Sequence, residues 1–246
     1  MDNLIYTAMT GASHVLEMQS TVSNNLANVA TTGFRAQFDA FRAVPVVNGG
    51  LPVQTYVTDS TVGSNFTPGP MIQTGNNLDV AVQSKGWIAV DMGNGTEGYT
   101  RNGSLKIDSA GQLQTWNGLA VQGVNGPITV PPGEQVQIGS DGTVSSIPPN
   151  GVMTSVSVLG QIKLVNPPDS TLVRGDDGYF RLASGKAANA DPTVVLASGT
   201  LEGSNVSAVS EMVSMIGLSR QFEMQMKLLT NAENNDSQAS QFLTIA

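Results

Sequence analysis

The feature that most constrains this chain is its asymmetry of period: both ends carry helical spacing and the long middle carries strand spacing. Near the N-terminus, Ile5, Met9, Ala12, Leu16, Val22 and Leu26 fall largely on one helical face, with Gln19 as a polar interruption. Asn3, Thr10, Glu17, Thr21 and Asn24 occupy the other face. The pattern predicts an amphipathic helix from Ile5 to Val29, stopped near Thr31-Thr32-Gly33 because glycine readily adopts the backbone that ends a helix.

A second helix is predicted from about Ser207 to Ile245, with Asn205 or Ser207 as its N-cap. Met212, Met215, Ser219, Phe222, Met226 and Leu229 alternate in steps of three and four, the spacing of a coiled-coil seam. The seam fades at Glu233 and Asp236 and returns at Leu243. A plain amphipathic helix packed on a globular domain would carry a similar stripe. An isolated helix of this length is marginal in water, and burying each Leu- or Met-sized side chain stabilises by about 1.5–3 kcal/mol. The two stripes are therefore expected to pack on each other or on other copies of the chain.

The middle is rich in Gly, Asn, Thr and Val. Strand-like runs stand at Trp87–Asp91, Tyr99–Arg101, Ser104–Ile107, Leu113–Trp116, Val136–Ile138 and Val156–Val165. Three acidic-Gly turns, Asp108-Ser109-Ala110-Gly111, Ser140-Asp141-Gly142 and Asp176-Asp177-Gly178, lie beside them and mark hairpins. Pro45, Pro52, Pro68 and Pro70 punctuate Gly- and Thr-rich sequence before this region, which reads as an extended connector with little regular structure. The predicted fold is α+β. The terminal helices (1–33 with 205–246) pair as one coiled-coil-like domain, 34–77 forms the connector, and 78–204 forms an antiparallel β domain.

Composition removes several function classes. There is no cysteine, hence no disulfide, thiolate metal site or Cys nucleophile, and His14 is the only histidine. His14 has no G-x-S-x-G partner motif, so it reads as a helix-surface or interface residue. No phosphate-cradling loop or calcium-loop spacing is present, and Asp176-Asp177 reads as turn chemistry. With 19 acidic residues, paired carboxylates can be drawn anywhere and identify nothing. No catalytic, cofactor or metal residues are expected. The eleven basic residues form no stripe and the net charge is −8, against nucleic-acid or anionic-membrane binding. Nothing approaches the length of a transmembrane run, and the N-terminal stretch has no basic residue or unbroken apolar core, so no secretory signal peptide is predicted. Met212, Met215, Met224 and Met226 read as helix or subunit packing rather than as an adaptable ligand surface. Charged residues make up only 12% of the chain, a weakly self-repelling surface suited to sitting against neighbours.

Three motifs carry a resemblance. Asn24-Asn25-Leu26-Ala27-Asn28-Val29-Ala30-Thr31-Thr32-Gly33-Phe34-Arg35 resembles the N-terminal signature of bacterial flagellar rod and hook proteins, close to N-L-A-N-x-x-T-x-G-[YF]. Phe34 stands where relatives often have Tyr. Gly86-Trp87, then Gly98-Tyr99-Thr100-Arg101-Asn102-Gly103, then Asp108, Gly111 and Leu113 resemble the β-domain signature of the same family. Glu202-Gly203-Ser204-Asn205-Val206, leading into Met212-Val213 and Met215-Ile216, resembles its C-terminal helix entry. The opening Met1-Asp2-Asn3-Leu4-Ile5-Tyr6-Thr7-Ala8-Met9, the length and Arg220-Gln221-Phe222-Glu223-Met224-Gln225-Met226-Lys227 are most similar to the proximal-rod branch.

The resemblance implies a structural, torque-transmitting subunit in the periplasmic rod of the basal body, exported through the flagellar type III channel without a cleaved signal peptide. Its implied partners are proximal and distal rod proteins, copies of itself and the export apparatus, without membrane insertion. The terminal helices would form an inner tube and the β domain would face outward. The family motif falls here on Asn25, Leu26, Asn28, Gly33, Phe34, Tyr99, Arg101, Gly103 and Asn205. Met215→Asp or Phe222→Asp is expected to abolish rod incorporation while leaving the β domain folded. A distal rod or hook subunit is the nearest rival. A secreted β-rich adhesin would show aromatics on one exposed β face, whereas Trp87, Tyr99, Trp116 and Phe180 serve equally as core. A peptidoglycan hydrolase would need a carboxylate pair that no motif marks.

Overall fold

A computed structural model describes residues 2–48, 51–83, 85–148 and 156–245. The side chains of Pro45, Pro52, Asp236 and Leu243 lie outside the described residues. The chain forms two compact units, one of residues 1–29, 36–65 and 206–246, the other of residues 30–35 and 66–205.

The first unit holds helix α1 (Asp2–Ala27), strands β1 (Gln37–Asn48) and β2 (Leu51–Ser64), and helix α2 (Ala208–Ile245). Ser207 is the N-cap of α2: its Oγ accepts the Ser210 amide and its carbonyl accepts the Glu211 amide. Asn205, the other expected cap, instead donates its side-chain amide to the Thr67 carbonyl. α1 ends at Ala27, before Gly33, through turns in which Asn28 donates to the Asn24 carbonyl. The helices run antiparallel. Gly11 faces Gln225, while the Thr21–Asn25 end of α1 shares a groove with Glu211–Gln221.

The shielded faces differ from the expected stripes. On α2 the shielded positions are Glu211, Met215, Leu218, Phe222, Gln225, Leu229 and Ala232, again in alternating steps of four and three. Of the expected seam, Met215, Phe222 and Leu229 belong to this face, whereas Met212, Ser219 and Met226 are exposed on its flank. On α1, Ala8, Ala12 and Val15 are buried, Ile5, Val22 and Leu26 are half-buried, and Met9 and Leu16 are exposed. The reason is size. Ala8, Gly11 and Ala12 let the helices approach closely, and a Cβ on Gly11 would come within 3.0 Å of the Gln225 amide. The contact pairs small residues of α1, Ala12 of the expected stripe among them, with larger ones of α2, including the expected Met215, Phe222 and Leu229.

The connector expected at 34–77 is also corrected. Residues 37–64 form a two-stranded antiparallel ribbon, with register shifts after Ala40 and Val46. Pro45 opposite Thr55 and Pro52 opposite Val47 sit within it. A two-stranded ribbon leaves an outer edge on each strand, where a residue without N–H costs no ladder bond.

The second unit is antiparallel β. A five-stranded sheet runs in the order 164–165, 87–91, 97–100, 180–182, 172–174, and a three-stranded sheet is built from 135–138, 143–147 and 157–161. The run expected at 156–165 is therefore split between two sheets. Alternation sorts the strand 87–91 between two cores. Ile88 joins Val80, Leu113, Val144, Ile162 and Leu196, whereas Trp87 and Ala89 join Tyr99, Val165 and Phe180. Trp116 is the exception among the aromatics, 67% exposed with Lys106 over its ring. All three acidic-Gly turns close hairpins. In each, an Asp carboxylate accepts amides two residues on (Asp108 from Ala110, Asp141 from Thr143, Asp177 from Tyr179) and the glycine takes a positive φ of 81–84°.

Candidate functional site: a buried Arg-Glu joint and a helix-ribbon groove

Segment 30–35 belongs to the β unit, and a dense set of contacts fixes it there. The Gly33 amide donates to the Glu202 carbonyl (2.7 Å), the Asn205 amide to the Phe34 carbonyl (3.4 Å), and the Thr32 hydroxyl to Asn102 Oδ1 (2.8 Å). Gly33 is required twice over: its φ is +68°, and a Cβ would lie 2.4 Å from the Arg101 carbonyl carbon. Gly103 answers the same demand for close approach, since its Cβ would fall 1.6 Å from the Val80 carbonyl oxygen.

At the centre, Glu202 is fully buried and accepts from three directions. Arg35 Nη2 reaches Oε1 at 2.7 Å, the Gly69 amide reaches Oε1 at 2.9 Å, and Arg101 Nη1 reaches Oε2 at 3.1 Å. Arg101 also donates to the Val82 carbonyl and lies 5.5 Å over the Trp87 ring. Burial pulls the Arg101 guanidinium below its ordinary value, and the Glu202 carboxylate opposes that shift. Arg174 covers the outside, 4.6 Å over the Phe34 ring with its Nη1 on the Arg35 carbonyl. Gly33, Phe34, Arg101 and Asn205 thus converge on one joint between early and late chain. Arg35 and Glu202 are its ionic centre; neither was singled out from sequence, although both lie inside the quoted motifs.

The other motif residues do different work. Asn25 is buried in the first unit and exchanges two hydrogen bonds with the backbone of Gln37, donating to its carbonyl and accepting its amide, both at 2.8 Å. It imitates a neighbouring strand and ties α1 to β1. Leu26 is half-buried beside it. Tyr99 is buried in the β unit, where its hydroxyl accepts the Ala188 amide and donates to Glu97. Burial first, then the Glu97 charge, pushes its phenol up to about 12.

Among the described residues no group of three His, Asp or Glu side chains is placed to hold a metal ion, and no helix is long and apolar enough to cross a membrane. His14 lies against Phe41, ring centroids 5.1 Å apart, with Nδ1 3.2 Å from Glu17. A groove of about 560 Å³ opens between the two helices and the foot of β1. Asp39 stands in it with its carboxylate on the Thr21 hydroxyl, and Glu211 lines its other side.

Three family models match the chain, and all three describe parts of the flagellar rod and hook. They are the flagella basal body rod protein (residues 5–35), the flagellar hook protein FlgE/F/G D1 domain (81–146) and the flagellar basal body rod FlgEFG protein C-terminal (197–242). The chain is 48% identical to the flagellar basal-body rod protein FlgF of Escherichia coli and 45% identical to that of Salmonella typhimurium, over 100% of both chains in each case. It is 28% identical to the basal-body rod protein FlgG of Bacillus subtilis over 93% of this chain and 94% of the relative. The chain belongs to the flagellar basal-body rod protein family, as a structural protein of the flagellar basal body.

Proposed function

We propose that the chain works as a structural subunit of the proximal rod, carrying torque from the motor to the hook and filament. The observation that carries this reading is the set of full-length matches to rod proteins named FlgF. The helix pair supports it. Beyond the face each helix gives to the other, Tyr6, Met9 and Leu16 on α1 and Val213, Ile216 and Met224 on α2 are exposed. An apolar surface of this kind on both sides of a helix pair is expected where further helices pack.

In this reading α1 and α2 pair in a coiled-coil-like domain and line the inner tube, with exposed apolar residues meeting neighbouring copies and other rod proteins. The expected packing residues Met9, Leu16, Met212 and Met226 then act between subunits, while Ala12, Met215, Phe222 and Leu229 act within the pair. Export runs through the type III channel without a cleaved signal, which an unfolded chain without disulfides suits. The Arg35–Glu202–Arg101 joint stiffens the β unit against torsion. A strain lacking its proximal rod gene tests the reading: expression of this chain should restore motility and complete basal bodies. Growth of flagella in the deletion strain without the chain would overturn it.

A further inference from the structure

The groove and the far side of α2 have matching chemistry. The groove carries two carboxylates, Asp39 and Glu211, with Met18, Val22 and Leu218 as its apolar wall and no basic residue in its lining. Gly217 opens it further, since a Cβ there would meet nothing within 4 Å. On the side of α2 turned away from α1, Val209, Val213, Ile216, Arg220, Glu223 and Lys227 recur in steps of four and three, all exposed. Among the described residues Arg220 and Lys227 make no ion pair. One surface is concave, apolar and acidic; the other is a convex helical face that is apolar at Val209, Val213 and Ile216 and then carries Arg220 and Lys227 on either side of Glu223.

We propose that the groove of one subunit receives the outer face of α2 from a second copy, with Arg220 entering between Asp39 and Glu211. This rests on the reading of the chain as a rod subunit and specifies which surfaces meet. The contact joins two different patches, so it is heterologous and each copy keeps one of each free. Such a contact propagates along a helix instead of closing a dimer. Opposite charge fixes the register, because a like-charge pair in the same place repels. Val213 and Ile216, about two turns and one turn before Arg220, lie along the apolar wall and supply the buried area.

The test is a charge exchange in the full-length chain, read as the amount of chain in isolated basal bodies, with helix content of each purified variant checked by circular dichroism. Arg220→Glu should lower incorporation at least about tenfold. Asp39→Lys in the same chain should restore most of it, and Glu211→Lys should do so where the Asp39 change disturbs β1. Normal incorporation of Arg220→Glu would overturn the pairing, as would loss that neither second change repairs. In either case wild-type chain in the same basal bodies would leave the rod reading standing, whereas absence of wild-type chain would overturn that reading as well. A chain with Asp39→Cys and Arg220→Cys, in a protein without native cysteine, should give a ladder of disulfide-linked multimers in assembled basal bodies. A product stopping at dimers would mean a closed contact and contradict the heterologous geometry.

Discussion

Glu202 meets Arg35 at 2.7 Å although 167 positions separate them, and neither side chain touches solvent. The pair joins the segment after the first helix to the segment before the second, so the β unit is complete only when both ends of its chain are in place. Buried ion pairs are weak stabilisers as pairs, because desolvation offsets attraction, but removing one partner strands the other. Here the stranded groups would be two guanidinium ions.

Glu202→Gln keeps the shape and removes the charge that balances Arg35 and Arg101. The β unit should lose about 3–5 kcal/mol. Urea unfolding followed by the fluorescence of buried Trp87, which Arg101 covers, measures this, and the change should leave the circular dichroism of the terminal helices intact.

Gly33→Ala and Gly118→Ala both place a side chain at positive φ, but only the first meets backbone. The Gly118 position has open space, while at Gly33 the Cβ would lie 2.4 Å from Arg101. Gly118→Ala should cost about 1 kcal/mol or slightly more from strain alone. Gly33→Ala should cost clearly more in the same unfolding assay, because the joint must open to admit it.

Asn25→Ala removes both bonds to Gln37, leaving a half-buried backbone amide and carbonyl without these partners. A cost of about 1–3 kcal/mol per unsatisfied group is expected, with loss of hydrogen-exchange protection at the Gln37 amide. Asn25→Asp keeps the acceptor and loses the donor, so it should retain protection of that amide.

Tyr99 gives a pH signature. Its folded-state phenol is raised from 10.0 to about 12, chiefly by burial. Between those values the unfolded chain loses the proton while the folded chain keeps it. The stabilisation is therefore complete below pH 10 and is lost as pH rises towards 12. Stability measured from pH 9 to 11.5 should fall more steeply for wild type than for Tyr99→Phe.

Much of this fold was legible from period and turns. Helical spacing marked both terminal helices, and three Asp-Gly turns marked three hairpins whose glycines need positive φ. What stayed hidden depended on partners distant in sequence. Ala12, Met215, Phe222 and Leu229 were legible on the inner face of the helix pair, whereas Ala8 and Gly11 carry little apolar signal, and contact there depends on closeness more than on side-chain bulk. The ribbon of β1 and β2 was hidden by Pro45 and Pro52, which exclude a central strand but not one with a free edge. The joint was half visible: the motifs flagged Gly33, Arg101 and Asn205, but nothing local pairs Arg35 with Glu202. A charged residue inside each of three separated motifs, two basic and one acidic, is the signal that could have found it.

Electron cryo-microscopy of isolated basal bodies decides whether the chain is a rod subunit. Density for this chain is expected in the proximal rod, with α1 and α2 on the inner tube. Absence of the chain from the rod, or terminal helices lying on its outer surface, would contradict this expectation.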